Sequence, residues 1–186
     1  MPGRMVLAGL LFVLSPVLAL GQYAAFDLEG KSVNPFEAAP GKVVVLVFVR
    51  RDCPVSSRYA PLIQQISAQH ERAASFWLVF PDKAETPNTI HQYLHDYGYH
   101  LPALRDPEHS LVKLAQVRIT PEVAVFSRNR QLLYDGRIDN WYVDLGRSRP
   151  APTTHELEDA IQSALADKTP ATNQVRGVGC YISDLE

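Results

Sequence analysis

Lys42 to Arg50 (KVVVLVFVR) is an almost unbroken run of β-branched and aromatic residues, the pattern of a central strand buried on both faces. Around it the apolar positions alternate between strand and helix periods. Pro54, after the turn Arg51-Asp52-Cys53, suits the first position of a helix, where its missing N–H would be unpaired anyway. Tyr59, Leu62, Ile63 and Ile66 then share one face of a helix predicted to run to about Gln69. Ser75 to Phe80 reads as a second strand, closed by Pro81-Asp82. Thr89 to Tyr97 reads as a helix ended by Gly98, Leu101 to Leu104 as a short strand, and His109 to Val117 as a short helix. Thr120-Pro121 introduces a strand over Glu122 to Ser127, which turns at Asn129 into Gln131 to Arg137, an antiparallel hairpin. Thr153 or Thr154 caps a last helix containing Leu157, Ala160, Ile161 and Leu165. Residues 138–152, with Trp141 and Tyr142, read as a long surface loop, and the chain from Lys168 onward as irregular. This order predicts one α/β domain with a central mixed β-sheet flanked by helices.

The first residues change the setting. Arg4 precedes an apolar stretch from Val6 to Leu14, then Ser15-Pro16, and Ala19-Leu20-Gly21 offers small residues for cleavage before Gln22. The stretch is shorter than the roughly 20 residues of a spanning helix. Residues 1–21 are therefore expected to be a signal peptide, with the redox-permissive domain at 22–168 and a C-terminal tail at 169–186. The mature protein is expected to be periplasmic or secreted, with no membrane association after cleavage. The 186 residues carry 18 Lys+Arg against 20 Asp+Glu, a balance of -2. That balance, with no basic stripe, argues against nucleic acid as a partner. P-loop, GxGxxG and GxSxG patterns are absent, so no cofactor is expected. His91 and His95 lie four apart on a predicted helix but lack a third ligand nearby, and they read as solvated helix positions, with no metal expected.

Two cysteines remain, Cys53 and Cys180, separated by 127 positions and so unable to form a local CxxC pair. Cys53 falls between the carboxyl end of the central strand and the start of its helix, where open α/β sheets place their sites. A free thiol is only about 3% thiolate at neutral pH, and the thiolate is the nucleophile. A helix N-terminus together with Arg50, Arg51 or Arg58 would favour that form. An inert buried cysteine is the alternative. Glu122 and Asp139 are candidate proton acceptors beside Cys53, against the plainer reading of solvated strand-end carboxylates. Thr120 and Pro121 are candidates for positioning a substrate backbone, and the residues alone leave the Thr120-Pro121 bond open between cis and trans. Cys180, six residues from the end, has three readings: a partner that resolves an intermediate on Cys53, a permanent staple, or an intermolecular link.

Phe48 to Pro61 (FVRRDCPVSSRYAP), Ile119 to Phe126 (ITPEVAVF), Tyr134 to Tyr142 (YDGRIDNWY) and Val178 to Ile182 (VGCYI) resemble the bacterial redoxin-domain proteins, a peroxiredoxin-like branch of the thioredoxin superfamily. The resemblance implies a thioredoxin-like fold with a peroxiredoxin-like extension. It also implies that Cys53 holds the first position of the CxxC motif and that Pro121 is a cis-proline. The departures are specific. Ser56 stands where a thioredoxin has its second cysteine, Leu46 and Arg50 replace the proline and threonine of the peroxiredoxin PxxxTxxC pattern, and Ser57 replaces the second sulfur of a copper chaperone.

These observations give three expectations. The first is an exported thiol-disulfide oxidoreductase working through Cys53, with Cys180 resolving the product. The second is a peroxiredoxin-like thiol peroxidase, and the third a non-catalytic thioredoxin-fold binding module. Either enzyme would have a disulfide or peroxide as substrate and a thiol reductant as partner. The sequence leaves the oligomeric state open.

Overall fold

The computed structural model describes residues 25–183 and Leu185, so the expected signal peptide lies outside the described residues. The chain opens with β1 (Ala25–Phe26), β2 (Ser32–Val33) and the short helix α1 (Pro35–Ala38), a region without a strong sequence pattern. The apolar run forms β3 (Val43–Phe48), all six residues of which are buried. Next come α2 (Pro54–Arg58), α3 (Ala60–His70), β4 (Ala74–Phe80), α4 (Pro87–Asp96), β5 (Ala103–Arg105) and α5 (Ser110–Ala115). The second half contains β6 (Ile119–Thr120), β7 (Glu122–Phe126), β8 (Leu132–Gly136), β9 (Tyr142–Asp144), β10 (Arg147–Ser148), α6 (Glu156–Leu165), β11 (Gln174–Val175) and β12 (Cys180–Tyr181).

Eight strands form one mixed sheet in the order β11-β8-β7-β3-β4-β5-β1-β2. β3, β4 and β5 run parallel, while β7 pairs antiparallel with β3 and β8 antiparallel with β7. Because side chains alternate along a strand, β3 feeds both layers. Val43, Val45 and Val47 join the core of α3, α4 and α6 with Ile63, Ile90 and Ile161. Val44, Leu46 and Phe48 join the opposite core with Phe36, Leu111 and Phe126. The layers explain why KVVVLVFVR shows no alternation of apolar and polar positions.

Four local expectations need correction. The helix expected from Pro54 to about Gln69 divides at Tyr59. Pro61 is the cause, since it has no N–H to donate to the Ser57 carbonyl and cannot continue the ladder. Residues 138–152 contain the β9–β10 hairpin rather than only a loop. The tail is not irregular: β11 adds to the main sheet parallel to β8, and β12 pairs antiparallel with β6. Gly136 makes the first of these possible, because a Cβ there would stand 2.0 Å from the Val175 carbonyl oxygen. The last helix is capped at His155 rather than Thr153 or Thr154, whose N–H groups instead donate to Asn140 Oδ1. Among the described residues no helix is long and apolar enough to cross a membrane.

Candidate functional site

β3 ends at Phe48 and delivers Cys53 to the start of α2, where the Cys53 N–H donates to the Arg50 carbonyl. β6 and β7, joined through a cis Thr120-Pro121 bond, bring Thr120 alongside. The tail completes the site: Cys180 sits opposite Thr120 in the β6–β12 pair, and the Thr120 hydroxyl donates to the Cys180 carbonyl at 3.3 Å. Three sequence-distant segments thus converge on one sulfur. Cys53 has no exposed surface, Cys180 is half-buried, and both are free thiols.

The polar surroundings decide which sulfur carries charge. As a thiol, Cys53 donates to the Thr120 carbonyl at 3.1 Å rather than capping α2. Burial also opposes its ionisation. Against these, the side chains and backbone N–H groups of Ser56 and Cys180 favour the thiolate, and together they hold Cys53 below the ordinary thiol range. Cys180 moves the other way. Burial, donation of its proton to Cys53 and the Cys53 charge push it up to about 11, with Arg50 opposing. The surroundings therefore favour ionisation of Cys53 before Cys180.

The arginines are placed differently from the sequence expectation. Arg50 pairs with Asp52 and Asp82 and donates to the Tyr181 carbonyl at 3.1 Å, so its charge acts on Cys180 rather than chiefly on Cys53. Arg51 turns to the buried Glu85. Arg58 lines a groove of about 290 Å³ with Pro54, Val55, Tyr142, Leu145 and Ser148. Donors at hydrogen-bond range, not long cationic side chains, lower the Cys53 thiol.

The two carboxylates also do other work. Asp139 accepts from the Tyr59 hydroxyl at 2.5 Å and the Trp141 N–H at 2.8 Å, tying α2 to the loop before the hairpin. Tyr59 meets the Trp141 ring edge-on, with centroids 5.6 Å apart. Glu122 is buried and accepts three backbone N–H groups, from Arg118 at 3.0 Å, Ile119 at 3.2 Å and Gly177 at 2.8 Å. It clasps the tail to the segment before Pro121 instead of facing Cys53. Glu122→Ala leaves those donors without a partner, each costing about 1–3 kcal/mol when buried. The expected loss in urea unfolding is about 3 kcal/mol, and a loss below about 1 kcal/mol would show that the clasp carries no weight.

Sequence reasoning missed Ser56 as a donor, having noted it only as a missing cysteine. It also missed Tyr93 of α4, whose phenol is pushed up by burial and by neighbours that include the Cys53 charge. Gly177 and Gly179 were missed too, although two glycines just before a tail cysteine signal close backbone approach.

Residues 41–132 match the thioredoxin-like family, a span containing Cys53 and Pro121 but not Cys180. No curated protein matches the chain. Among solved structures, a hypothetical protein from Sinorhizobium meliloti 1021 is 22% identical with a TM-score of 0.70, covering 86% of this chain and 89% of that one. An uncharacterized conserved protein from Geobacillus kaustophilus is 19% identical with a TM-score of 0.70, covering 86% and 87%. A secreted disulfide oxidoreductase from Mycobacterium tuberculosis, homologous to Escherichia coli DsbE, is 18% identical with a TM-score of 0.53, covering 78% and 96%. At these identities the likeness concerns the fold, and it agrees with the family match over the segment that holds Cys53. Residues 41–132 are therefore thioredoxin-like, on a fold shared with these structures, and Cys53 and Pro121 lie within that segment while Cys180 lies beyond it.

Proposed function

We propose that this protein is an exported thiol-disulfide oxidoreductase in which Cys53 attacks a substrate disulfide and Cys180 resolves the product. The observation that carries the reading is the convergence of two free thiols on Thr120, Cys53 contacting its carbonyl at 3.1 Å and Cys180 paired opposite it, with Cys53 the more readily ionised. In the first step the Cys53 thiolate attacks one substrate sulfur. The S–S bond breaks, a substrate thiolate leaves, and a mixed disulfide forms. Cys53 then no longer carries the charge that held the Cys180 proton, so burial and the Arg50 charge are left to set the Cys180 thiol. Cys180 gives its proton to the first departed substrate thiolate or to water, and its thiolate then attacks the Cys53 sulfur and releases the second substrate thiolate, leaving a Cys53–Cys180 disulfide. A dithiol reductant regenerates the pair, taking up the oxidation. Export rests on the leader-like first 21 residues and on the secreted Mycobacterium tuberculosis relative.

The peroxide alternative has less support. The position of the peroxide-holding threonine is Arg50, whose guanidinium is engaged by two carboxylates and the Tyr181 carbonyl. The test gives the reduced protein a small aromatic disulfide or hydrogen peroxide, each with a dithiol reductant. Turnover on the disulfide, with a Cys53–Cys180 linkage in non-reducing mass spectrometry, is the expected result. Turnover on peroxide alone, or no such linkage, would overturn the proposal.

A further inference from the structure

The tail that supplies Cys180 also covers Cys53. Cys180 pairs with Thr120 and Tyr181 with Ile119. Around them, the Ile182 N–H donates to the Arg118 carbonyl at 2.9 Å, and Arg50 Nη1 donates to the Tyr181 carbonyl at 3.1 Å. The Gly177 N–H reaches Glu122 Oε1 at 2.8 Å. Ile182 is buried in the core beneath β7, whereas Tyr181 is 75% exposed. The segment is thus held by one buried side chain and a set of backbone hydrogen bonds, a weak seat compared with the main sheet.

Its fit depends on a missing side chain. A Cβ at position 179 would stand 2.0 Å from the Thr120 carbonyl oxygen and 3.1 Å from Ile119 Cγ2. The first is backbone and the second belongs to a buried residue, so neither can yield cheaply. At position 177 a Cβ would meet the Glu122 side chain at 3.0 Å and the Pro121 carbonyl oxygen at 3.1 Å.

We propose that residues 177–182 are a strap that completes and closes the Cys53 site, with Gly179 as the positioning residue that admits it to β6. Seated, the strap sets Cys180, which favours the Cys53 thiolate, opposite the Thr120 whose carbonyl the Cys53 thiol contacts at 3.1 Å, and leaves that sulfur no exposed surface. Lifted, it takes Cys180 away and opens the sulfur to large molecules. Access and activation of Cys53 therefore oppose one another, and a bulky disulfide reaches the sulfur only when the strap leaves β6. The titratable groups acting at the site are Cys180 from the strap and Tyr93 from α4, with Arg50 and Asp52 acting on Cys180. The inference deepens the proposed thiol chemistry, but its physical content is the exposure of one sulfur.

The test measures alkylation of Cys53 by iodoacetamide against pH, located by peptide mapping, in the wild type, Gly179→Ala and Ile182→Asp. The rate climbs through a midpoint, which reports the donors, to a plateau, which reports access alone. Urea unfolding identifies variants whose domain remains folded; Ile182→Asp unseats the strap from its far end and provides a second route to the same open state. Both variants are expected to raise the plateau by about tenfold and the midpoint by about one pH unit. An unchanged plateau in the folded variants would overturn the strap. A wild type that fails to turn over the disulfide, beside variants with a raised plateau, would overturn the proposed function instead and leave the strap standing, whereas loss of turnover in the variants follows from displacing Cys180.

Discussion

Cys53→Ser is expected to abolish reduction of a small disulfide, with a fall of about a thousandfold or more. A serine hydroxyl at this position meets the same donors from Ser56 and Cys180, but its ionisation lies far above the range they can reach. Cys180 is a poor substitute in the first step, because burial still opposes its ionisation when the Cys53 sulfur is gone. The fold should survive the change, since a hydroxyl can still donate to the Thr120 carbonyl that Cys53 contacts at 3.1 Å. Thiolate release from a chromogenic disulfide under saturating dithiol reductant provides the measurement. Residual turnover above about a tenth of the wild type would place the reacting sulfur elsewhere.

Cys180→Ala is expected to act on two observables. Removing one hydrogen bond to a charged sulfur is worth about 1.5–3 kcal/mol, so the Cys53 midpoint should rise by about one pH unit. The sign extends to stability. Folded Cys53 ionises below an unfolded thiol, so its contribution is present above the unfolded midpoint and is lost as pH falls through the folded one. Cys180→Ala narrows that window. The variant should also stall after the first step, accumulating a Cys53–substrate mixed disulfide that mass spectrometry detects at one equivalent. Full release of both substrate thiols at the wild-type rate would remove Cys180 from the mechanism.

The parts of this picture that depend on local pattern were legible in the sequence. The Lys42–Arg50 run announced a doubly buried strand, and Cys53 fell at its carboxyl end as the order of elements required. The cis form of Thr120-Pro121 was not readable from spacing and came only with the family resemblance. The break at Tyr59 was readable in principle, because Pro61 removes a helix hydrogen bond, but the apolar face continues across it and masked the break. The arginines near Cys53 misled because proximity in sequence says nothing of a competing carboxylate. Glu85 and Asp82, which engage Arg51 and Arg50, lie on the far side of β4 in the chain. Glu122 looked like a base because it is a carboxylate next to Pro121. Its three backbone donors come from turns and a tail whose paths carry no periodicity. For the same reason the seating of Cys180 on β6 could be raised only as one of three readings, since two-residue strands leave almost no pattern.

The proposed chemistry depends on a charge asymmetry between two sulfurs, and the Cβ chemical shifts of ¹³C-labelled cysteines followed against pH measure it directly. The expected result is two separate transitions. Cys53 should ionise below the ordinary free-thiol value of about 8.5, and Cys180 should ionise near 11. Both cysteines titrating together at or above about 8.5 would contradict it.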